Sequence, residues 1–299
     1  MAKYSGSGAD PYTDPSGVLK NKFGITDQAQ LDKVESTFAA IRSAEMQQKP
    51  IQGNFDLAHL KETHKRLFGD VYSWAGELRT VDISKGDTRF AHAGVIESAG
   101  NQLFRQLAKE KNLQGMGADK FSERLGHYVG EINVLHPFRE GNGRTQREFA
   151  SQLAKENGYH ISWDKVSREE MTRASIEAYQ SSSDRLGKII RENLTDLDRE
   201  KAAGMARTYA GETAQISKAE SGKTYQGQII GVTERYVVQV QGKENVVLHD
   251  RKALSGKPES LPGKDVEIRY PHGVAGLVKE VDRAKSGPEV GRNDREAGR

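Results

Sequence analysis

The sequence predicts a mainly α-helical core carrying a β-hairpin flap, followed by a small all-β barrel. Three observations predict it. Apolar residues recur at helical spacing through the first two thirds of the chain. One polar turn between short extended runs interrupts that pattern. Beyond about residue 205 the period changes to short β-branched runs broken by Gly, Pro or Asp.

The elements follow in order. "ITDQAQLDKVESTFAAIRSAEM" opens with Thr26 as N-cap and carries Leu31, Val34, Phe38 and Ile41 on one stripe. "NFDLAHLKETHKRLFG" puts Leu57, Leu60, His64, Leu67 and Phe68 on one face and stops at Gly69. "LRTVDISKGDTRFAHAG" breaks the helical period, and its Lys85-Gly86-Asp87 turn reads as a hairpin. "KFSERLGHYVGEINVL" aligns Phe121, Leu125, Val129, Ile132 and Leu135 directly before His136. "RTQREFASQLAKEN" sets Phe149 and Leu153 four apart, as a helix does. "VSREEMTRASIEAYQ" begins with a capping box, Ser167 to Glu170, and a helix through "DRLGKIIRENLTDLDRE" follows.

Five strands then come in under 80 residues: "KTYQGQIIGVT", "RYVVQVQ", "NVVLHD", "KDVEIRY" and "VAGLVKEV". That count suggests a small closed barrel, OB-like. The expected boundaries are a helical domain over residues 10–200, a barrel over 205–282, and a charged, Gly-rich disordered tail or linker over 283–299.

Composition narrows the function classes. Of 299 residues, 29% are charged and 35% apolar, and a net charge of +3 is too small for a general nucleic-acid or membrane binder. There is no cysteine, which excludes disulfides and thiolate metal sites. No apolar run approaches the roughly 20 residues that span a bilayer. The opening "MAKYSGSGADPYTDPSG" lacks the apolar core of a secretory signal, so an exit from the cell by that route is not expected.

One stretch concentrates chemistry: "HPFREGNGRTQR", His136 to Arg147. Gly141-Asn142-Gly143 lets the backbone take positive φ and come close to a ligand. A helix starts there, so its unpaired N–H groups and positive dipole end form an anion site. Arg144 and Arg147, three apart, project from one side of the first turn. Two guanidiniums over such a nest suit a polyphosphate better than one carboxylate. Glu140 beside phosphates calls for a cation between them, and Mg²⁺ takes one or two carboxylates and completes its shell with phosphate and water. His136, near pKa 6.5 when unperturbed, suits a general base. Pro137 ends the preceding helix and Phe138 anchors the loop. The residues describe metal-assisted transfer of a nucleotide-derived group to a nucleophile.

The stretch resembles the signature of Fic-domain proteins, HPFx(D/E)GNGRxxR, and every fixed position matches: His136, Pro137, Phe138, Glu140, Gly141, Asn142, Gly143, Arg144 and Arg147. The resemblance extends through "VLKNKFGITD" and "YSWAGELRTVDISKG" and covers roughly residues 10–200. The layout of helical core, small barrel and linker is similar to that of translocated Bartonella effectors. Their further C-terminal secretion domain does not occur here, which suggests a fragment or a short relative.

The resemblance implies AMP transfer from ATP, with Mg²⁺, to a Tyr, Thr or Ser hydroxyl of a target protein. In that scheme His136 deprotonates the hydroxyl and Glu140 holds the metal. Asn142 and the backbone at Gly141 and Gly143 cradle phosphates, Arg144 supports them, and Arg147 holds the γ-phosphate end. The hairpin, Asp82, Ile83, Ser84, Lys85, Gly86, Asp87, Thr88, Arg89 and Phe90, matches the flap that pairs with a target's backbone. Its polar members Lys85, Asp87, Thr88 and Arg89 are where target choice is read. A kinase-like branch has Lys where this chain has Gly143, so Gly143 favours nucleotidyl transfer. The implied target is a host protein, a small GTPase being one candidate. The implied route is from the bacterial cytoplasm by type IV secretion into the host cytosol.

Many relatives also carry, or borrow, an inhibitory helix of pattern (S/T)xxxE(G/N), whose Glu pairs with the second motif arginine. Here Ser73–Glu77, Thr208–Glu212 and Ser255–Glu259 have the spacing, but Leu78, Thr213 and Ser260 follow. The expectation is a separate small antitoxin-like protein acting on Arg147, or no restraint at all.

Two alternatives stand beside this reading. One is Fic-type transfer of another nucleotide. The other is nucleic-acid binding through Tyr225, Tyr236 and Tyr270 of the barrel, although nucleic acid is not the favoured partner. The eight histidines show no HExxH pair.

Overall fold

A computed structural model describes residues 10–281 and, ahead of them, the strand β1 (Ser5–Gly6). The chain divides into two compact units between Asp196 and Leu197. The tail expected over 283–299 lies outside the described residues.

In the first unit, α1 (Gln28–Gln48) is capped by Asp27, whose side chain accepts the Gln30 N–H. The expected cap, Thr26, is one residue short. The buried face is Leu31, Glu35, Ala39 and Met46, while Ile41 is 50% exposed, so the expected stripe is rotated by one position. Glu35 turns inward because two polar partners meet it there, which no apolar periodicity records. Next, α2 (Leu57–Phe68) buries Leu57, Leu60, His64, Leu67 and Phe68 as predicted and ends at Gly69. The flap is β2 (Ile83–Lys85) and β3 (Thr88–Arg89), turning at Gly86 with φ +57°, and β1 adds antiparallel to β2.

The sequence reading assigns nothing to α3 (Ile96–Lys109), although it buries Ile96, Gly100, Leu103, Phe104 and Leu107 at helical spacing. The central helix α4 (Ala118–Leu135) buries Phe121, Leu125, Val129, Ile132 and Leu135. It leads through the motif loop into α5 (Asn142–Glu156). After β4 (Tyr159–Ile161) comes α6 (Arg168–Gln180), where Ser167 caps the Glu170 N–H at 3.1 Å. The short α7 (Asp184–Glu192) crosses α4 so closely that a Cβ on Gly126 would lie 2.4 Å from the Gly187 nitrogen. The single helix expected from Asp184 to Glu200 is broken. β5 (Leu194–Asp196) pairs with β4, and a new helix begins at Leu197.

The second unit corrects the barrel. It holds α8 (Leu197–Ala210), then β6 (Gln215–Lys218), β7 (Thr224–Val232), β8 (Tyr236–Gln241), β9 (Asn245–Asp250), β10 (Asp265–Arg269) and β11 (Leu277–Glu280). The five predicted strands are present. They join in the order β11-β10-β7-β8-β9-β6, an open sheet with β6 parallel to β9. One face is covered by α8, and the other carries a core that its own strands share with Leu254 and Leu261. Ala202 and Ala206 of α8 cover Val238, Val240, Val246 and Leu248. Val237 and Val247 pack with Tyr225, Ile229, Val266 and Ile268 on the other side. The sequence hides α8 because its packing face is mostly alanine, which carries little apolar signal.

Candidate active site

The motif begins where α4 stops. His136 takes a left-handed conformation (φ 43°, ψ 61°) and its N–H still bonds the Ile132 carbonyl at 3.0 Å. Pro137 follows and cannot continue the helix. The unusual backbone at His136 is held by Arg79, a buried guanidinium from the chain entering the flap. Arg79 Nε donates to the His136 carbonyl at 2.8 Å and Nη1 to Val81 O at 2.7 Å, while Nη2 reaches the carbonyls of Ala91 and Leu135. Burial lowers the Arg79 pKa to about 10, so it remains charged at neutral pH.

The imidazole of His136 is buried, and Nδ1 lies 3.2 Å from the Asn133 carbonyl. A carbonyl only accepts, so Nδ1 carries the proton and Nε2 is the lone-pair nitrogen. Burial, then the positive charges of Arg79 and Lys85, push its pKa down to about 3. The ring is therefore neutral at neutral pH, as a base must be. Phe90 of the flap stacks on it, centroids 3.6 Å apart.

The loop after His136 is pinned from below. His64 of α2 stacks on Phe138 at 3.9 Å. Its Nδ1 accepts the Gly76 N–H at 2.8 Å, so Nε2–H donates to the Glu140 carbonyl at 3.0 Å. Burial, its largest influence, holds His64 neutral with a pKa of about 3. Asn142 uses both ends of its amide on one residue: Oδ1 accepts from Phe138 N at 2.9 Å and Nδ2 donates to Phe138 O at 2.7 Å. Its side chain thus shapes the loop in this structure.

Those groups open α5. Gly141 is its N-cap with φ +80°, and its carbonyl accepts the N–H and hydroxyl of Thr145, both at 3.0 Å. Among the described residues, the N–H groups of Asn142, Gly143 and Arg144 have no hydrogen-bond acceptor. That is the anion-binding end of a helix. Glu140 lies at its rim, buried, with Oε1 accepting from Gly141 N at 3.0 Å and standing 3.8 Å from Arg144. Arg144 lies over the Phe68 ring at 4.7 Å and is tied to the buried Glu35 carboxylate, which also accepts the Tyr72 hydroxyl. Arg147 is half-buried and, among the described residues, has no hydrogen-bond or ion-pair partner. Burial, then the neighbouring charge of Arg144, lower its pKa. A guanidinium so placed gains from any anion that reaches it.

In the flap, Asp82 accepts the Ala93 N–H at 2.8 Å and meets His92 at 2.9 Å, and Ile83 is buried. Lys85, Gly86, Asp87 and Arg89 face solvent, with Ser84 and Thr88 half-buried. The structure therefore gathers His136, Glu140, Gly141, Asn142, Gly143, Arg144 and Arg147 at one helix start. Phe90 is joined to them through its ring, and the polar flap residues stand at the rim.

Sequence reasoning missed the supports: Arg79, Glu35, Asn133 and the role of His64. Only His64 left a signal, a histidine on an otherwise apolar helix face. A cavity of about 500 Å³ opens between α4, α6 and α7, lined by Glu123, His127, Glu131, Ser183 and Lys188 among others, and includes no motif residue. No group of three His, Cys, Asp or Glu side chains is placed to hold a metal among the described residues. A cation here would rest on Glu140 and on its substrate, which is how Mg²⁺ is bound beside polyphosphates. No described helix is long and apolar enough to cross a membrane. In the second unit Tyr225 and Tyr270 are core residues, the Tyr270 hydroxyl lying 2.8 Å from His249 Nδ1, and Tyr236 is half-buried. Two of the three rings that a nucleic-acid reading requires are thus buried.

Comparison with known proteins agrees with this geometry. The Fic/DOC family matches residues 54–154, and the KfrB domain matches residues 224–279. Over 197 residues the chain is 59% identical to protein adenylyltransferase VbhT of Bartonella schoenbuchensis, covering 66% of this chain and 41% of that protein. Over 176 residues it is 42% identical to the probable protein adenylyltransferase Fic of Escherichia coli, covering 58% of this chain and 87% of that one. The solved structure of BepC, a VirB-translocated effector from Bartonella tribocorum with bound AMPPNP, matches with a TM-score of 0.58 at 26% identity. It covers 62% of this chain and 95% of that one. The chain spans less than half of VbhT and most of the other two.

Proposed function

Because the chain belongs to the Fic/DOC family, we propose that it transfers AMP from ATP to a hydroxyl side chain of a target protein. The observation that carries the reading is the neutral His136, protonated on Nδ1, in the loop that leads into α5, where Arg147 and the N–H groups of Asn142, Gly143 and Arg144 have no partner among the described residues. Nε2 takes the proton of the target hydroxyl. The hydroxyl oxygen attacks the α-phosphorus, the bond from that phosphorus to the bridging oxygen breaks, and pyrophosphate leaves. The N–H groups of Asn142 and Gly143, with Arg144 and Arg147, face the charge that accumulates on the leaving phosphates. Glu140 would hold Mg²⁺, which would neutralise part of that charge. The AMPPNP bound to BepC supports an adenine nucleotide over the others. BepC's description as a translocated effector supports a target protein inside a host cell.

The test is incubation with ATP labelled on the α- or the γ-phosphate in cell lysate. Label from the α position should appear on protein. Transfer of the γ label instead would overturn the reading in favour of a kinase.

Glu140→Ala should raise the Mg²⁺ concentration needed for half-maximal transfer, and saturating Mg²⁺ should restore activity only in part, since water replaces the lost carboxylate. A metal titration of both proteins decides it: superimposable curves mean that Glu140 is not the metal residue.

Control follows from Arg147. No segment of the chain has the inhibitory sequence pattern, and a glutamate supplied by a separate small protein would make a charge-assisted, bidentate contact there. Purified alone, the chain should transfer AMP without activation. Silence that is relieved by deleting an internal segment would place the restraint within the chain.

A further inference from the structure

Arg144 stands between two acids. Its Nη2 donates to Oε1 of Glu35, and the same nitrogen lies 3.8 Å from Oε1 of Glu140, beyond hydrogen-bond reach. Glu140 is four residues back in the chain and is held at the helix start by the Gly141 N–H at 3.0 Å. Glu35 comes from α1, 109 positions away. The guanidinium thus takes the distant acid and leaves the near one.

The distant acid is firmly set. Glu35 lies on the buried face of α1 with Leu31 and Ala39 and is 2% exposed. Its Oε2 accepts the Tyr72 hydroxyl, and the Phe68 ring carries the guanidinium at 4.7 Å. Three side chains therefore fix Arg144 in place. Stability alone is a poor reason to bury an acid there, since a buried ion pair often holds a fold no better than apolar residues of the same volume.

The gain is chemical. Glu140 is buried, and a carboxylate taken out of water binds a nearby guanidinium strongly. An Arg144–Glu140 pair would neutralise within the protein the negative charge that a metal needs. We propose that Glu35 is a positioning residue: by holding Arg144 it stops that guanidinium from closing on Glu140, and so keeps the Glu140 carboxylate for Mg²⁺. The inference rests on the metal role proposed above for Glu140 and adds the residue that maintains it.

The experiment reads binding rather than turnover. In the full chain carrying His136→Ala, ATP affinity is measured by calorimetry across a Mg²⁺ titration, and again with a chelator and no metal. Glu35→Gln is isosteric and keeps an acceptor for the Tyr72 hydroxyl. It should raise the Mg²⁺ concentration at half-maximal binding by about tenfold, the weight of one charge-assisted hydrogen bond. Metal-free ATP binding should stay within about twofold, and Glu35→Gln should add no further shift to Glu140→Ala. Glu35→Asp keeps the charge but falls a methylene short of Arg144, so it should move the titration the same way by a smaller factor; if Glu35→Gln does not fold, this variant carries the test. Titrations of the Glu35 variants that superimpose on the parent overturn the proposal. So does an equal loss with and without Mg²⁺, which would make Glu35 a support of the phosphate site or of the fold. So does a Glu35→Gln shift that is undiminished beside Glu140→Ala. If Glu140→Ala itself leaves the titration unmoved, the metal role falls and the inference with it. If Glu140→Ala moves it and the Glu35 variants do not, the inference alone falls.

Discussion

His136→Ala should lower AMP transfer by about 10²–10⁴-fold while nucleotide binding survives, the usual cost of losing a general base. In the proposed reaction the imidazole acts on the incoming hydroxyl and the phosphates meet the start of α5, which the substitution does not touch. Two readouts separate chemistry from damage. His136 already holds φ 43°, so alanine adds no new backbone strain, and the melting temperature should fall only modestly through the lost stacking on Phe90. Nucleotide affinity, read by calorimetry, should stay within about threefold, since no phosphate contact is removed. A variant that keeps more than a tenth of the activity would end the base assignment. The pH profile of the wild type gives a second check. A pKa pushed down by burial keeps the ring neutral as pH falls through 6.5, so transfer should persist at pH 6 and fail only on further acidification toward the folded-state pKa. An acid limb centred at 6.5 would mean that the base is an exposed, unperturbed histidine.

What the sequence disclosed and what it hid divide along physical lines. The motif was legible because its chemistry is local: a helix stop, a glycine turn and a helix start within twelve residues fix the relative places of His136, Glu140 and Arg147. Helices with Leu, Ile and Phe faces were legible for the same reason. The supports were not, because each joins residues far apart in the chain. Glu35 meets Arg144 across 109 positions, and Arg79 meets His136 across 57. No spacing rule finds such pairs. The barrel expectation failed because strand count fixes neither order nor closure. Whether β6 to β11 close depends on what covers their faces, and α8 covers one of them with alanines. Asn142 is a subtler case. Its identity reads as a phosphate ligand, and the structure adds a second task that no spacing shows: both ends of its amide bond Phe138 and hold the loop.

Gly141→Ala should be the most damaging single change in the nest, and its cause is steric. The residue sits at φ +80°, where a side chain costs about 1–2 kcal/mol. A Cβ there would also lie 2.4 Å from Cε2 and 2.6 Å from Cζ of Phe68. Phe68 is fully buried at the end of α2 and cannot step aside cheaply. Overpacking of this kind costs about 1–3 kcal/mol more. Relief by moving Phe68 disturbs Arg144, whose guanidinium rests on that ring, and relief by moving the loop shifts the N–H groups of α5. Either way the phosphates lose alignment, and a displacement near 1 Å can cost about 10²-fold in rate. The expected result is a melting temperature lowered by several degrees together with transfer reduced by about 10²-fold or more. Gly143→Ala is the control. Gly143 lies two residues on, is exposed, has an ordinary helical φ, and a Cβ there meets only Arg147 Nη1 at 3.6 Å. Its melting temperature should match the wild type. Equal melting temperatures for the two variants would show that Phe68 yields, and that Gly141 is needed for the ligand rather than for the fold.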